Sequence, residues 1–251
     1  MGRLSDKVAI VTGAAGGIGS AAARRFVNEG AKVLLVDREE DALKQATAAL
    51  PPDGVGFVVA DVTDEVAMHS VVAEAKQRFG RIDIALLNAG IEGEIGKIDV
   101  LPVSAYDRVM AVNVRSVWLG LAALMPAMRA SGGGSIVITS SVAGLRGSAM
   151  LAAYSASKHA VVGLMRSAAL EGAVDNIRVN TVHPAQTRTR MMAAIDEAMA
   201  AAGRASGSTA RIPLARYAEP ADVVDMMLFL ASEDSRFCTG ATYLVDGGSM
   251  A

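Results

Sequence analysis

A chain of 251 residues, 52% hydrophobic and 20% charged, is long enough to bury one large core without disulfides or metals, and leaves little room for a second domain. Its net charge of −2, with basic residues scattered along the chain, points away from nucleic acid and from an anionic membrane surface as partners. The single cysteine, Cys238, cannot form an intrachain disulfide, and no metal-ligand cluster is visible, which suits a reducing cytoplasm.

Residues 1–6 lack the apolar stretch of a signal peptide, and Asp6 stands where a myristoylation signal wants Ser or Thr. The longest apolar run, 119–128, holds Pro126 and is too short to cross a bilayer. A cytoplasmic protein is expected.

Residues 7–12 form a continuous apolar run, the pattern of a parallel strand covered on both faces. Thr12-Gly13-Ala14-Ala15-Gly16-Gly17-Ile18-Gly19 follows at once and opens a helix over 17–29. Glycines there let the backbone turn sharply and approach a pyrophosphate, and the helix N-terminus offers it free N–H groups. The position between strand and helix separates this cluster from an ordinary turn. A second strand spans 31–36, and Asp37 at its end has the spacing of an acid that binds adenosine ribose hydroxyls. A carboxylate there would repel a 2′-phosphate by about 1–4 kcal/mol at 4 Å, which favours NAD over NADP. Gly16 also lacks a basic side chain inside the loop. Arg38 has two readings, a holder of a 2′-phosphate or a solvated residue at a helix start, and the second is preferred.

A helix over 39–50, a strand over 55–60, a helix over 64–79 and a strand over 82–87 continue the alternation. One long helix over 103–129, a strand over 135–139, a helix over 151–174 and a strand over 177–182 come next. A helix over 220–231 and a strand over 242–245 close it. Repeated βαβ units predict an α/β fold: a Rossmann-type, doubly wound parallel sheet of seven strands between two helical layers, in a single domain over 1–251. Ligands then bind in the crevice at the strands' carboxyl ends. Residues 186–211 break the rhythm. They hold no strand, are rich in Ala, Met, Ser and Gly, and include a short helix over 191–202 ended by Gly203. Such an insert reads as a lid over the crevice, with a plain surface excursion as the alternative.

Tyr154 and Lys158 stand four residues apart on the 151–174 helix, so their side chains share one face. A phenol near pKa 10 is a poor base, but a neighbouring ammonium and a positive nicotinamide stabilise its phenolate. Tyr154 would then take an alcohol proton as hydride leaves for the cofactor, and return it in reduction. Ser141, just past the 135–139 strand, is placed to hydrogen-bond the substrate oxygen.

Together the Thr12 to Gly19 loop, Asp61-Val62, Asn88-Ala89-Gly90, Asn113, Ser141, Tyr154-Ser155-Ala156-Ser157-Lys158, Asn180 with Pro184, and Asp246-Gly247-Gly248 resemble the classical short-chain dehydrogenase/reductase family in order and spacing. The resemblance covers residues 4–248. It implies catalytic roles for Asn113, Ser141, Tyr154 and Lys158, with Asn113 shaping its helix and anchoring a water in a proton path. It implies NAD(H) held by Gly13, Gly16, Gly17, Ile18, Gly19, Asp37 and Arg38, with Asp61 and Val62 at adenine. Asn88, Ala89 and Gly90 would run along the ribose, Lys158 and Tyr154 would meet the nicotinamide end, and Pro184, Thr187 and Thr189 would lie by the carboxamide. It also implies a homotetramer, paired through the 151–174 and 103–129 helices. Ala156, Ala160, Gly163 and Ser167 form a small-residue stripe that serves either this pairing or packing within one subunit.

Two departures stand out. Leu87 replaces the first asparagine of the usual Asn-Asn-Ala-Gly, and Ala185 replaces the glycine after Pro184, where a left-handed backbone would strain alanine. The substrate crevice is expected to be lined by Ile91, Glu92, Val142, Leu145, Met150, Gln186, Met191, Met192 and Ile195. The methionines suit an adaptable apolar wall or core packing, and Glu92 and Gln186 either orient a polar group or face water. A moderately hydrophobic cyclic or aryl secondary alcohol fits this lining, with sugar, steroid and hydroxyacyl substrates as alternatives. His69, His159 and His183 share no ligand spacing, so no metal is expected; His183 lies nearest the nicotinamide end. A non-catalytic dinucleotide-binding regulator on the same fold is the second reading, and the intact Ser141, Tyr154 and Lys158 argue against it.

Overall fold

Each apolar run forms a strand: β1 (Val8–Thr12), β2 (Lys32–Asp37), β3 (Val55–Val59), β4 (Ile84–Leu87), β5 (Gly134–Thr139), β6 (Ile177–Pro184) and β7 (Thr242–Val245). The computed structural model describes residues 2–204 and 209–251. The strands join in one sheet, ordered β3-β2-β1-β4-β5-β6-β7, with every pairing parallel. Among the described residues the α-helices are α1 (Gly17–Asn28), α2 (Glu40–Ala48), α3 (Glu65–Phe79), α4 (Val103–Met110), α5 (Ser116–Ala130), α6 (Ala152–Gly172), α7 (Arg190–Ala201) and α8 (Pro220–Ala231).

Alternation along each strand builds two cores at once. Ile10, Leu34, Ile136 and Ile138 face one side, with Met68 and Val71 of α3, Leu121 and Leu124 of α5, and Val161 and Met165 of α6. Ala9, Val11, Val33, Leu35 and Val137 face the other, against Phe26 of α1, Leu43 of α2, and Val224 and Leu228 of α8. Each fully buried aliphatic or phenyl side chain contributes about 1.5–3 kcal/mol of transfer free energy. The chain steps outward from β1 to β3, then returns to β4 on the other side of β1. The carboxyl ends of β1 and β4 therefore flank the switch point, where a crevice must open.

Three expectations are corrected. The 103–129 helix is interrupted by a π turn at Ala111–Arg115, because Asn113 in that turn is buried and hydrogen-bonds the loop after β4. Taken with that turn, Val103–Ala130 is 28 residues long and contains an 18-residue window with a mean hydropathy of 1.4, so a stretch of membrane-spanning length and composition does exist. Half of it is buried in the protein, where α5 supplies core residues, and it is a core helix. Finally, Ala185 has no left-handed backbone. Strand β6 continues through Pro184, and the Ala185 N–H donates to the Val245 carbonyl at 3.1 Å, so the missing glycine costs nothing.

Segment 186–211 is tied to the body by a parallel bridge between Thr187 and Ala218. Helix α7 follows, capped by the Thr189 hydroxyl, and none of its side chains is fully buried. Gly203, at φ 68°, ends it. Residues 205–208 of the expected lid lie outside the described residues.

Candidate active site

Gly13 turns the chain at φ 65°, and a Cβ there would meet the Ala89 Cα at 2.8 Å. Gly16, Gly17 and Ile18 line the crevice, and no side chain caps the first turn of α1. Gly19 does not line it. A Cβ on Gly19 would stand 2.1 Å from the Gly13 carbonyl oxygen, so this glycine lets α1 pack on the loop. Thr12, which carries no binding role in the sequence reading, knits the floor. Its hydroxyl donates to the Leu86 carbonyl at 3.2 Å and accepts from the Asn88 and Ala89 N–H groups at 3.0 and 3.2 Å. The Asn88 amide donates to the Thr12 and Gly13 carbonyls at 3.2 and 3.3 Å and accepts from the Thr139 hydroxyl at 3.0 Å.

Asp37, at the end of β2, accepts from the Ala15 N–H at 3.0 Å and from the Arg38 N–H at 2.8 Å. It anchors the glycine loop while its carboxylate lines the crevice. Arg38 lines the crevice too, but its guanidinium is mostly exposed and pairs with Glu39 at 3.2 Å. Asp61 and Val62 form the next stretch of wall. Hydrogen bonds from the Thr63 N–H and hydroxyl hold the Asp61 carboxyl below its usual range.

At the other end, Ser141 leads a 3-10 turn, Val142–Gly144, and its hydroxyl accepts from the Ala143 N–H at 3.1 Å and donates to the Pro184 carbonyl at 3.5 Å. Lys158 is only 4% exposed, and its ammonium donates to the Thr139 carbonyl at 2.8 Å. It lies 5.5 Å from the centre of the Tyr154 ring. Two glycines make room for it. A Cβ on Gly144 would sit 2.6 Å from the Lys158 carbonyl oxygen, and one on Gly90 would sit 3.4 Å from Nζ. Gly144 is a positioning residue that the sequence gives no signal for.

Burial pushes the Lys158 ammonium down to about 8. Burial also pushes the Tyr154 phenol up to about 12; the Ser141 hydrogen bond opposes this, and the Glu92 charge adds to it. The expected stabilised phenolate is thus not a property of the protein by itself. Asn113, 1% exposed, does not line the crevice. Its side chain accepts from the Ile91 N–H at 2.8 Å and donates to the Ile91 carbonyl at 2.9 Å and to the Ser157 hydroxyl at 3.0 Å. It positions rather than touches. His183 is fully buried away from the crevice, bonded at 2.8 Å to both the Ser141 carbonyl and the Thr181 hydroxyl. The carbonyl can only accept, so Nδ1 carries the proton, and burial holds the imidazole below its ordinary pKa.

Ala89, Gly90, Ile91, Glu92, Val142, Pro184, Gln186, Thr187, Thr189, Met191, Met192 and Ile195 all line the crevice. Leu145 and Met150 do not. The 3-10 turn ends at Leu145 and hands the wall to residues 146–149, and a left-handed backbone at Met150 (φ 67°) interrupts it before Leu151. The cleft measures about 1890 Å³, well beyond the ~300–1,000 Å³ of a pocket for one small ligand. It is large enough for a dinucleotide and a second molecule.

Seven parallel strands in this order, with a glycine loop at the switch point and Ser141, Tyr154 and Lys158 lining the same cleft, define a Rossmann-type α/β protein. A family model described as enoyl-(acyl carrier protein) reductase matches residues 13–250, and the chain belongs to the short-chain dehydrogenase/reductase family. It is 38% identical to trans-4-hydroxycyclohexanecarboxylate dehydrogenase of Sinomonas cyclohexanicum over 257 residues, covering 99% of this chain and 95% of that one. The crystal structure of a levodione reductase superposes with a TM-score of 0.93 at 36% identity, covering 99% of each chain. An NAD⁺-bound xylitol dehydrogenase superposes with a TM-score of 0.91 at 32% identity, covering 98% of this chain and 99% of that one.

Proposed function

We propose that this protein transfers hydride between NAD(H) and a secondary alcohol or ketone of moderately hydrophobic, cyclic character. The observation that carries this reading is the convergence of Ser141, Tyr154 and Lys158 in the same cleft as the glycine loop. The cradle fits a nicotinamide dinucleotide: the first turn of α1 is uncapped, Asp37 faces the cleft, and side chains are missing at Gly16, Gly17 and Gly90. Residues 16–18 would hold the pyrophosphate, Asp37 the adenosine ribose, Asp61 and Val62 the adenine, and Asn88, Ala89, Gly90 and Lys158 the nicotinamide ribose. Pro184, Thr187 and Thr189 would hold the carboxamide, and α7 would serve as the lid.

Bound NAD⁺ supplies the hydride acceptor and a positive ring. Ser141 orients the substrate oxygen by a hydrogen bond. Tyr154 takes the alcohol proton in oxidation and returns it in reduction. Lys158, one helical turn away, stabilises the phenolate by its charge. Asn113 fixes the loop that faces them. The wall of Ile91, Val142, Met191, Met192 and Ile195 suits an apolar ring, in keeping with the ring compounds named for two of the similar proteins.

The test is NADH fluorescence against a panel of cyclic ketones, where loss of signal on addition of ketone is the expected result. Binding of NADH without turnover across the whole panel would favour a regulatory dinucleotide binder. NAD is the proposed cofactor over NADP, because an Asp37 carboxylate at the adenosine ribose would repel a 2′-phosphate, and the Arg38 guanidinium pairs with Glu39. Asp37→Asn keeps an acceptor for the Ala15 N–H and removes the charge. It is expected to raise the NADP-to-NAD ratio of kcat/KM by about tenfold or more. A wild-type ratio near one would count against the preference. A homotetramer paired through α5 and α6 accords with the small-residue stripe, since Ala156, Gly163 and Ser167 of α6 and Trp118 of α5 are exposed in the single chain.

A further inference from the structure

We propose that Glu92 selects ring alcohols carrying a second hydroxyl, its carboxylate accepting a hydrogen bond from that group while the reacting oxygen is held at Ser141 and Tyr154. The inference rests on the dehydrogenase reading above and narrows its substrate class. Glu92 follows Ile91, whose N–H and carbonyl are both held by Asn113, so the loop carrying the carboxylate is fixed. The side chain is half-buried and lines the cleft, and no hydrogen bond or ion pair engages it. A half-buried carboxylate with no partner in the protein can accept a hydrogen bond from a donor brought by the ligand.

The loop that carries it runs past the reacting end of the cleft: a Cβ on Gly90, two residues earlier, would sit 3.4 Å from the Lys158 ammonium nitrogen. A second polar atom points to the same kind of ligand: the Gln186 amide oxygen is buried in the same cleft without a hydrogen-bond partner. Ketone and ether oxygens cannot donate to a carboxylate, whereas a hydroxyl can.

The experiment compares trans-1,2-cyclohexanediol with cyclohexanol in wild type, Glu92→Gln and Glu92→Leu. Two quantities are measured: kcat/KM with NAD⁺, and calorimetric affinity in the NAD⁺-loaded Tyr154→Phe background, where turnover is blocked. Wild type should favour the diol, and Glu92→Leu should lower the diol-to-cyclohexanol ratio by about tenfold or more. Glu92→Gln, which keeps an acceptor oxygen, should lower it less, and it carries the test if the leucine variant does not fold. Ratios within about twofold of wild type on both readouts would overturn the proposal. If wild type oxidises neither alcohol yet binds the diol in a Glu92-dependent way, the dehydrogenase reading fails and the role of Glu92 stands.

Discussion

Tyr154→Phe is expected to lower kcat by about 10²–10⁴-fold while NADH binding, followed by fluorescence, changes little. The substitution removes one oxygen and leaves a ring of the same shape in a packed position. Burial already penalises the charged phenolate, so phenylalanine leaves the fold no worse served, and the Ser141 hydroxyl keeps its hydrogen bond to the Pro184 carbonyl at 3.5 Å. Only the proton-carrying atom is lost. Turnover retained in this variant would mean that the proton travels by another route.

The second large effect concerns Lys158. Lys158→Met is expected to cost about 10²-fold or more in kcat/KM, because the phenolate loses the ammonium one turn away. The same substitution is expected to leave the cofactor-free protein as stable or more stable at pH 7, by about 1–3 kcal/mol. The lysine pKa is about 8 in the folded chain, against an ordinary 10.5. Below about pH 8 both folded and unfolded chains carry the charge, and its burial cost is fully present. As pH rises from about 8 towards 10.5 the folded chain gives up its proton first, the unfolded chain binds more protons, and stability rises. Methionine removes that slope, at the loss of the hydrogen bond to Thr139. Urea denaturation between pH 7 and 9.5 checks this; an unchanged slope would show that the ammonium is solvated after all. The range above pH 10 is avoided because Tyr154, raised to about 12, then contributes stability that is lost as pH climbs through that value.

Much of this was legible in the sequence. Apolar runs of four to eight residues carry the strand signal directly, and each strand lies within two residues of its expected bounds, because parallel strands buried on both faces leave no polar alternation to confuse the reading. The cleft residues were legible as ordered motifs with a chemical purpose. What escaped were features set by packing across the fold. Nothing local marks Asn113 as the centre of a π turn, since the cause is its bonding to Ile91, 22 residues earlier. Gly144 and Thr12 likewise act on elements distant in the chain. Leu145 and Met150 were misplaced because hydrophobicity says that a side chain is covered, not by what.

The five residues of the π turn face two ways. Val112 borders the cleft, Val114 and Arg115 join Trp118 in a hollow on the outer surface, and Ala111 touches both. Removing one residue from this bulge would restore an ordinary helical pitch, yet it would swing all of α5 through about 100°. Asn113 would lose its grip on Ile91, and Trp118 would rotate off its face in the same motion. One backbone irregularity thus sets the phase between the reaction chamber and the exterior, and the two cannot drift apart independently.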